Sequence, residues 1–242
     1  MGKRVFDIFI SFLGLIITGP ILVPVIIAIW LQDFHSPFYI ATRIGKNGKP
    51  FKMVKLRSMV ANADKVGIHS TSAKDPRITA VGHFIRRYKL DELSQLWNVL
   101  KGDMSLVGPR PQVQYDVAVY TDIEKRLLSV KPGLTDIASI VFADEGEILQ
   151  DSENPDLDYN RLIRPWKSRL GLFYIDHQSF VLDLHIIFLT VLNFVSRDQA
   201  LAGIQRILDK FGANEKLKLV ASRRKKLKPY PPPGAKEIVK SH

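Results

Sequence analysis

The 242-residue chain contains no cysteine. This absence excludes disulfide bridges, thiolate zinc sites and cysteine nucleophiles together, and it suits a protein that faces a reducing cytoplasm. The short signatures HExxH, GxxxxGK[ST], GxGxxG and GxSxG are also missing. The sequence therefore does not indicate a zincin-type metalloprotease, a P-loop nucleotidase, a dinucleotide-binding enzyme or a nucleophile-elbow hydrolase.

Acidic residues are outnumbered. The chain has 24 acidic against 35 basic residues, which gives a formal net charge of +11. Such a surplus favours a polyanionic partner, either nucleic acid, anionic lipid headgroups or a phosphorylated substrate. The mean hydropathy of +0.01 is high for a soluble protein.

One long stretch carries no charge. It runs from Ile8 to Gln32 and consists mainly of Ile, Leu, Val and Phe, which is long enough for a membrane-spanning helix. Gly19-Pro20 should bend it, because proline lacks a backbone donor and clashes with the preceding turn. Basic residues flank both ends, and positive charge favours the cytoplasmic side. We therefore favour a re-entrant helix that bends at Gly19 and Pro20, while a kinked spanning helix stays open.

Residues 36–200 have the pattern of a helix-rich domain applied to the membrane. The pair Asn47-Gly48 predicts a hairpin turn that leads into a short strand, Phe51 to Leu56. Leucine and tryptophan at helical spacing from Leu93 to Leu100 predict an amphipathic helix, which Lys101-Gly102 should end. A second apolar stretch, Phe180 to Phe194, contains charged residues, so we expect it to pack on the domain or to lie at the membrane interface.

The C-terminal part is strongly basic. From Ile207 onward it holds ten Lys and Arg residues against three acids, and it ends in a proline cluster. Polybasic tails bind anionic lipids as readily as nucleic acids. Beside an apolar N-terminal helix we favour lipid, and we expect no nucleic-acid partner.

Two neighbouring acids stand out, Asp91 and Glu92. They follow a basic cluster, residues 86–89, at the start of the predicted amphipathic helix. Acidic residues are also common at helix starts for a purely structural reason, because they interact favourably with the helix dipole and with unpaired backbone amides. The chemical interpretation is that the basic groups receive phosphates, while a carboxylate holds Mg²⁺ or attacks phosphorus. Downstream, Pro109-Arg110-Pro111 fixes a guanidinium in a stiff loop.

These motifs, together with others at matching spacing, resemble the monotopic phosphoglycosyl transferases. These are bacterial sugar transferases that begin glycan assembly on undecaprenyl phosphate. The resemblance extends over nearly the whole of the first 200 residues. The stretches that carry it are Lys3-Arg4-x-x-Asp7, Lys55-Leu56-Arg57-Ser58-Met59, Asp75-Pro76-Arg77-Ile78-Thr79, Leu90-Asp91-Glu92-Leu93, Asn98-Val99-Leu100, Gly102-Asp103-Met104-Ser105, Val107-Gly108-Pro109-Arg110-Pro111, Lys131-Pro132-Gly133-Leu134-Thr135 and Ser179-x-x-Leu182-Asp183-Leu184.

The resemblance implies a helix-rich α+β fold in three parts. An N-terminal re-entrant membrane helix hairpin would occupy residues 1–35, with its bend at Gly19-Pro20. A small cytosolic catalytic domain with interfacial amphipathic helices would occupy residues 36–200. A basic, partly helical tail would occupy residues 201–242. The protein would lie in the bacterial inner membrane with its catalytic domain on the cytoplasmic face.

The resemblance also implies a catalytic Asp-Glu pair, here Asp91 and Glu92, that requires Mg²⁺. Asp91 would attack the β-phosphorus of a nucleoside diphosphate sugar, with uridine as the expected nucleoside. Polyprenyl phosphate would then take the phosphosugar from the aspartate. Glu92 would position the metal or handle protons, and the sequence does not choose between these roles.

Phosphate binding is expected from basic residues near the pair. Arg86 and Arg110, the latter held by Pro109, are the first candidates, and Lys55 and Arg57 are the second. Anionic membrane lipids are a further expected partner, and a homodimer stays open.

One departure concerns the donor. Many family members continue the Pro-Gly-x-Thr element with Gly-x-x-Gln and a later Asn-Gly-Arg. Here Asp136 follows Thr135, and an acidic run, residues 144–147, comes downstream. The departure leaves the sugar unidentified. Two other functions also stay open, a glycosyltransferase that releases nucleoside diphosphate and a membrane adaptor without activity.

Overall fold

The computed structural model describes residues 2–63 and 75–240. The described chain is helix-rich, with short strands, which confirms the expected α+β class. The helices are α1 (Gly2–Leu31), α2 (Ala80–Arg87), α3 (Leu90–Leu93), α4 (Leu96–Lys101), α5 (Gln114–Ala118), α6 (Ile137–Val141), α7 (Glu145–Ile148), α8 (Pro155–Asp158), α9 (Arg164–Asp176), α10 (Phe180–Val195), α11 (Arg197–Lys210) and α12 (Glu215–Ala221). The strands are β1 (Phe38–Ile44), β2 (Pro50–Leu56), β3 (Ser105–Val107) and β4 (Gly133–Thr135).

The predicted hairpin is confirmed. Strands β1 and β2 pair antiparallel, with Phe38 opposite Leu56 and Ile44 opposite Pro50. The turn needs two left-handed residues, and Asn47 (φ 57°) and Gly48 (φ 73°) supply them. Asparagine and glycine tolerate this conformation best, which is why the pair was a reliable turn signal.

A second, parallel pairing was not predicted. Ser105 of β3 lies opposite Gly133 of β4, and Val107 lies opposite Thr135. The backbones approach closely at Gly133, where a Cβ atom would lie 2.1 Å from the nitrogen of Gly108. Three-residue strands far apart in sequence have too few positions to show a period.

The helix predicted from Leu93 to Leu100 is present but divided. The Ser94 hydroxyl donates to the carbonyl of Asp91 (3.0 Å) and to that of Val54 (3.2 Å), and such side-chain bonds compete with helix continuation. The chain therefore forms α3 and then α4. Gly102 ends α4 in the left-handed region, at φ 99°, as predicted.

The core of the domain is built around α9, which is buried along most of its length. Helices α6, α10 and α11 pack together with it in one apolar cluster. Helix α11 crosses residue 200, where the sequence suggested the start of the tail, and Leu201, Ile204 and Leu208 are buried in that cluster. The first turns of the expected tail are thus part of the domain core.

Helix α1 is apolar and mostly exposed. Residues Gly2–Asp33 are long and apolar enough to cross a membrane, by length and composition. Pro20 and Pro24 lie inside a single assigned helix, so the two halves expected from the sequence are not separate elements. The bend at Gly19-Pro20 and the re-entrant hairpin stay predictions.

Polar contacts fasten the start of α1 to the domain. The ammonium of Lys3 donates to Asp183 of α10 (2.7 Å), to the hydroxyl of Tyr174 (2.9 Å) and to the carbonyl of Val107 (3.0 Å). Asp183 is 3% exposed, so its charge depends on Lys3 and Tyr174 for compensation.

Two neighbours of Lys3 extend this attachment. Arg4 donates to the carbonyls of Val99 and Leu100 at the end of α4 (2.5 and 2.8 Å), where cations are favoured. Asp7 accepts from the Ser105 hydroxyl (2.9 Å). The Lys3-Arg4-x-x-Asp7 motif is therefore an attachment point in addition to a charged flank.

The end of α1 is fastened separately. Arg57 donates to both carboxylate oxygens of Asp33, at 2.5 and 2.6 Å, and to the carbonyl of Ser36 at 2.8 Å. Leu22 and Ile29 of the same helix are buried in a small apolar cluster with residues of β2, α2 and α3. Both ends of α1 therefore contact one and the same domain.

Removal of the Lys3 ammonium should weaken this attachment. In Lys3→Met the buried carboxylate of Asp183 keeps Tyr174 but loses its counter-charge, so we expect the free energy of unfolding to fall by about 1.5–3 kcal/mol. Chemical denaturation in detergent measures it. Lys125→Met is the matched control, because the pair of Lys125 with Asp122 is exposed and its loss should leave stability unchanged. Equal effects of the two substitutions would contradict the assignment.

Candidate active site

The acid pair lies just after a sharp change of chain direction. Helix α2 ends at Arg87, and Lys89 adopts the left-handed region (φ 52°) before α3 begins. Leu90 is buried and anchors the start of α3. The next two residues, Asp91 and Glu92, lie in the first turn of α3.

Glu92 is held by Arg110. The two guanidinium nitrogens Nη1 and Nη2 donate to the two oxygens of Glu92, at 3.1 and 2.8 Å. Arg110 also donates to the carbonyl of Leu134 on β4, so the pairing of β3 with β4 positions it. Burial alone would raise the pKa of Glu92, but the charges of Arg110 and Lys55 outweigh this and lower it to about 2.

Asp91 is in a different state. The ammonium of Lys55 on β2 lies 4.0 Å from its Oδ2. In the described ranges, 2–63 and 75–240, we find no hydrogen bond to the Asp91 carboxylate. Burial raises the pKa of Asp91, Lys55 lowers it in part, and the neighbouring Glu92 charge raises it further. Its oxygens therefore have no hydrogen-bond partner among the described residues, while those of Glu92 are engaged by Arg110.

The other predicted phosphate-binding residues divide into two groups. Arg86, at the end of α2, acts on Asp91 through its charge. Pro109 immediately precedes Arg110, which contacts Glu92. Arg57 is engaged by Asp33 at the end of α1 and is not among the main charges that act on the pair. Its contact with phosphate stays a prediction that the geometry does not favour. Gly19 and Pro20 lie in α1, away from these contacts.

A cleft continues from Arg110 away from the acid pair. Its walls include Pro109, Arg110, Tyr120, Asp136, Tyr159 and Lys167. Burial raises the pKa of Asp136, although two bonds from Ser139 favour its ionised form. Burial alone would lower the pKa of Lys167, but its ion pair with Glu145 outweighs this effect and raises the pKa.

Of these cleft residues, only Pro109 and Arg110 were predicted as site residues from the sequence. Residues 136 and 144–147 were identified only as departures from the family pattern. Lys167 and Tyr159 come from distant helical segments, and no spacing links them to Asp91. Only the fold brings them together.

The acid pair fits a metal that is shared with the substrate. In the described part of the chain no group of three or more carboxylate or histidine ligands occurs, and both oxygens of Glu92 are engaged by Arg110. Mg²⁺ is commonly bound by one or two carboxylates plus substrate phosphates and water. Asp91 could supply such an oxygen, with Glu92 beside it, once a diphosphate is present.

The chain matches the family described as bacterial sugar transferase over residues 1–197. It belongs to that family.

Several relatives have assigned activities in their names. The chain is 36% identical over 216 residues to an undecaprenyl-phosphate galactose phosphotransferase of Salmonella typhimurium, covering 82% of this chain and 41% of that protein. It is 39% identical over 201 residues to the UDP-glucose:undecaprenyl-phosphate glucose-1-phosphate transferase of Escherichia coli, covering 81% and 40%. It is 34% identical over 206 residues to the exopolysaccharide production protein ExoY of Sinorhizobium fredii, covering 79% and 84%. The chain thus spans about two fifths of the first two proteins.

The Arg110–Glu92 pair predicts a pH-dependent stability difference. The pKa of Glu92 is lowered from 4.5 to about 2, so its carboxylate stabilises the fold above about pH 4.5 and loses this contribution as the pH falls toward 2. Arg110→Met removes the main favourable charge. The variant should unfold more easily at neutral pH, and its difference from the wild type should shrink on acidification to about pH 3.

Unfolding free energies at the two pH values test this. Arg126→Met is the control, because Arg126 pairs with Asp176 on the surface. A stability loss in Arg110→Met that stays the same at both pH values would show that Arg110 does not set the charge of Glu92.

Proposed function

We propose that the protein transfers a phosphosugar from a nucleoside diphosphate sugar to a polyprenyl phosphate of the undecaprenyl type. An oxygen of the Asp91 carboxylate bonds to the phosphorus that carries the sugar. The bond from this phosphorus to the bridging oxygen breaks, and nucleoside monophosphate leaves with that oxygen. An oxygen of the lipid phosphate then bonds to the same phosphorus, and the acyl phosphate bond breaks. The products are a polyprenyl diphosphate sugar and the original carboxylate.

One observation carries the choice of nucleophile. Arg110 engages both oxygens of Glu92, and a carboxylate that is bound in this way is a poor nucleophile. Among the described residues Asp91 is paired only with Lys55, at 4.0 Å, so no hydrogen bond from them competes with attack on phosphorus. The roles of two adjacent acids are thus separated by their partners.

The cations around the pair support attack on an anionic donor. Lys55, Arg86 and Arg110 all act on Asp91 through their charges. They would reduce the repulsion between the carboxylate and the diphosphate and would stabilise charge on the transferred phosphoryl oxygens. Mg²⁺, held by Asp91 and Glu92 together with phosphate oxygens, would add to this charge compensation.

The substrates are inferred from relatives and from chemistry. The names of the Salmonella and Escherichia coli relatives specify undecaprenyl phosphate, and the latter also specifies a uridine diphosphate sugar. We carry both over as the expected acceptor and donor class. The product would be the first lipid-linked intermediate of a polysaccharide or glycoprotein glycan.

A membrane location follows from the exposed apolar faces. The start of α1 contacts the start of α10 through the rings of Phe6 and Phe180, 5.2 Å apart. Both helices expose large apolar side chains, among them Val5, Phe9, Phe12 and Ile16 of α1 and Val181, Phe188, Val191 and Val195 of α10. Such continuous apolar surface favours lipid over water. We propose that α1 re-enters the bacterial inner membrane, that α10 lies at its interface, and that the domain faces the cytoplasm.

The activity can be tested with the donor alone. A screen of nucleoside diphosphate sugars should find one that releases nucleoside monophosphate without lipid, in an amount close to that of the enzyme. Asp91→Asn should abolish this release, because the amide does not attack phosphorus. Asp122→Asn is the control, since this carboxylate is exposed and lies outside the site.

Three outcomes would contradict the proposal. Normal release by Asp91→Asn would remove the assigned nucleophile. Release of nucleoside diphosphate would indicate transfer of the sugar alone. No turnover with any donor plus lipid would favour a membrane adaptor.

The orientation of α1 can be tested with introduced cysteines, because the chain has none. Gly2, where a Cβ atom would contact nothing within 4 Å, and the exposed Lys46 report on opposite ends of the helix. In intact cells neither should react with an impermeant thiol reagent, and both should react after lysis. Reaction of either from outside would overturn the re-entrant arrangement. In Pro20→Ala, the cysteine at position 2 should react from outside in part of the population, because a straightened helix can span the membrane.

A further inference from the structure

Arg43 is a half-buried arginine, and one of its guanidinium nitrogens is buried without a partner. It lies on β1, on the face of the hairpin that also carries Lys55, because Tyr39 is opposite Lys55 and alternate residues share a face. The Nε of Arg43 is buried and makes no hydrogen bond. Within residues 2–63 and 75–240, the guanidinium of Arg43 also forms no ion pair. By contrast, Arg57 and Arg110 are each bound by a carboxylate.

A guanidinium nitrogen that is buried without a partner is unfavourable in the protein alone. It loses its hydration and gains no bond in return. Consistent with this, burial lowers the pKa of Arg43. Such a residue is better explained by a ligand that completes its bonds than by a contribution to the fold.

Arg43 lies between the acid pair and the cleft. The nitrogen of the next residue, Ile44, donates to the carbonyl of Gln112 at 2.9 Å, which joins β1 to the loop that carries Arg110. The charged and phenolic groups that act on Arg43 include Asp116, Arg110 and Tyr159 of the cleft. Arg43 in turn acts on Lys55, but it is not among the main charges that act on Asp91 or Glu92. It is therefore one step farther from the nucleophile than Lys55 and Arg110.

We propose that Arg43 binds the second phosphate group of the reaction, the one that is not attacked. This inference rests on the proposed function. The attacked phosphate must lie at Asp91, among Lys55, Arg86 and Arg110. The sugar and the nucleoside carry no anionic group. The phosphate attached to the nucleoside is therefore the group that a guanidinium farther from Asp91 would bind.

The same position should serve two substrates in turn. In each step the attacking and leaving oxygens lie roughly in line through phosphorus. In the first step Asp91 attacks and the nucleotide phosphate leaves on the opposite side. In the second step Asp91 is the leaving group, so the lipid phosphate must enter from that same side. Arg43 would therefore hold first the departing nucleoside monophosphate and then the incoming polyprenyl phosphate.

The test is to measure, in Arg43→Met, the affinity for nucleoside monophosphates and the kinetics of phosphosugar transfer from the enzyme to the lipid. Calorimetric titration with uridine monophosphate, and with the other nucleoside monophosphates, should show affinity reduced by about tenfold or more, as expected for loss of a charge-assisted contact. The lipid concentration that half-saturates discharge of the enzyme-bound phosphosugar should rise to a similar extent. Thermal stability should be unchanged or higher. Arg43→Lys should recover part of the affinity, because it restores the charge without the planar fork.

Two matched substitutions separate the alternatives. Arg206→Met removes the same charge from an exposed position of α11 and should leave binding unchanged. Arg57→Met removes an arginine that the fold uses and should lower stability. Unchanged nucleotide affinity in Arg43→Met would overturn the assignment, and weakening for nucleotide but not for lipid would overturn the shared position. If the wild type itself binds no nucleoside monophosphate and releases none from any donor, the proposed function fails as well.

Discussion

The bidentate pair between Arg110 and Glu92 is the interaction on which the site depends. Two adjacent carboxylates repel each other, and burial penalises both charges. Arg110 compensates one of them through two hydrogen bonds, and it is itself fixed by the carbonyl of Leu134. Because Leu134 belongs to β4, the parallel pairing of β3 with β4 sets the position of the guanidinium. Asp91 is thereby left with an ammonium at 4.0 Å and, among the described residues, without a hydrogen bond to its carboxylate, which suits the nucleophile that we propose.

The high positive charge of the chain has two separate uses. Some cations build the fold: Lys3 compensates Asp183, and Arg57 compensates Asp33, so that both ends of α1 contact one domain. Other basic residues are not used to hold the fold together. Arg43 has a buried nitrogen without a partner, and Arg86 acts on Asp91 through its charge. A net charge alone does not distinguish these uses, whereas the contacts of each side chain do.

Local signals in the sequence were sufficient for part of this structure. The Asn47-Gly48 turn, the end of α4 at Gly102 and the acid pair at a helix start depend on neighbouring residues, and they were predicted. The pairing of β3 with β4 and the cleft around Tyr159 and Lys167 depend on contacts between distant segments, so no spacing revealed them. The pairing of Arg57 with Asp33 was not visible in the sequence either, because the two residues are 24 positions apart, and the contact of Arg57 with phosphate stays a prediction. Arg43 was not predicted as a site residue, because a buried nitrogen without a partner is visible only in three dimensions.

The central claim is that Asp91 carries the phosphosugar between donor and lipid. Mass spectrometry of enzyme that is quenched after exposure to donor alone tests it most directly. The account predicts one added phosphosugar per chain, located on Asp91 in the peptide that holds both acids. The adduct should disappear when polyprenyl phosphate is added. An adduct on Glu92, or full turnover without any adduct, would contradict the account.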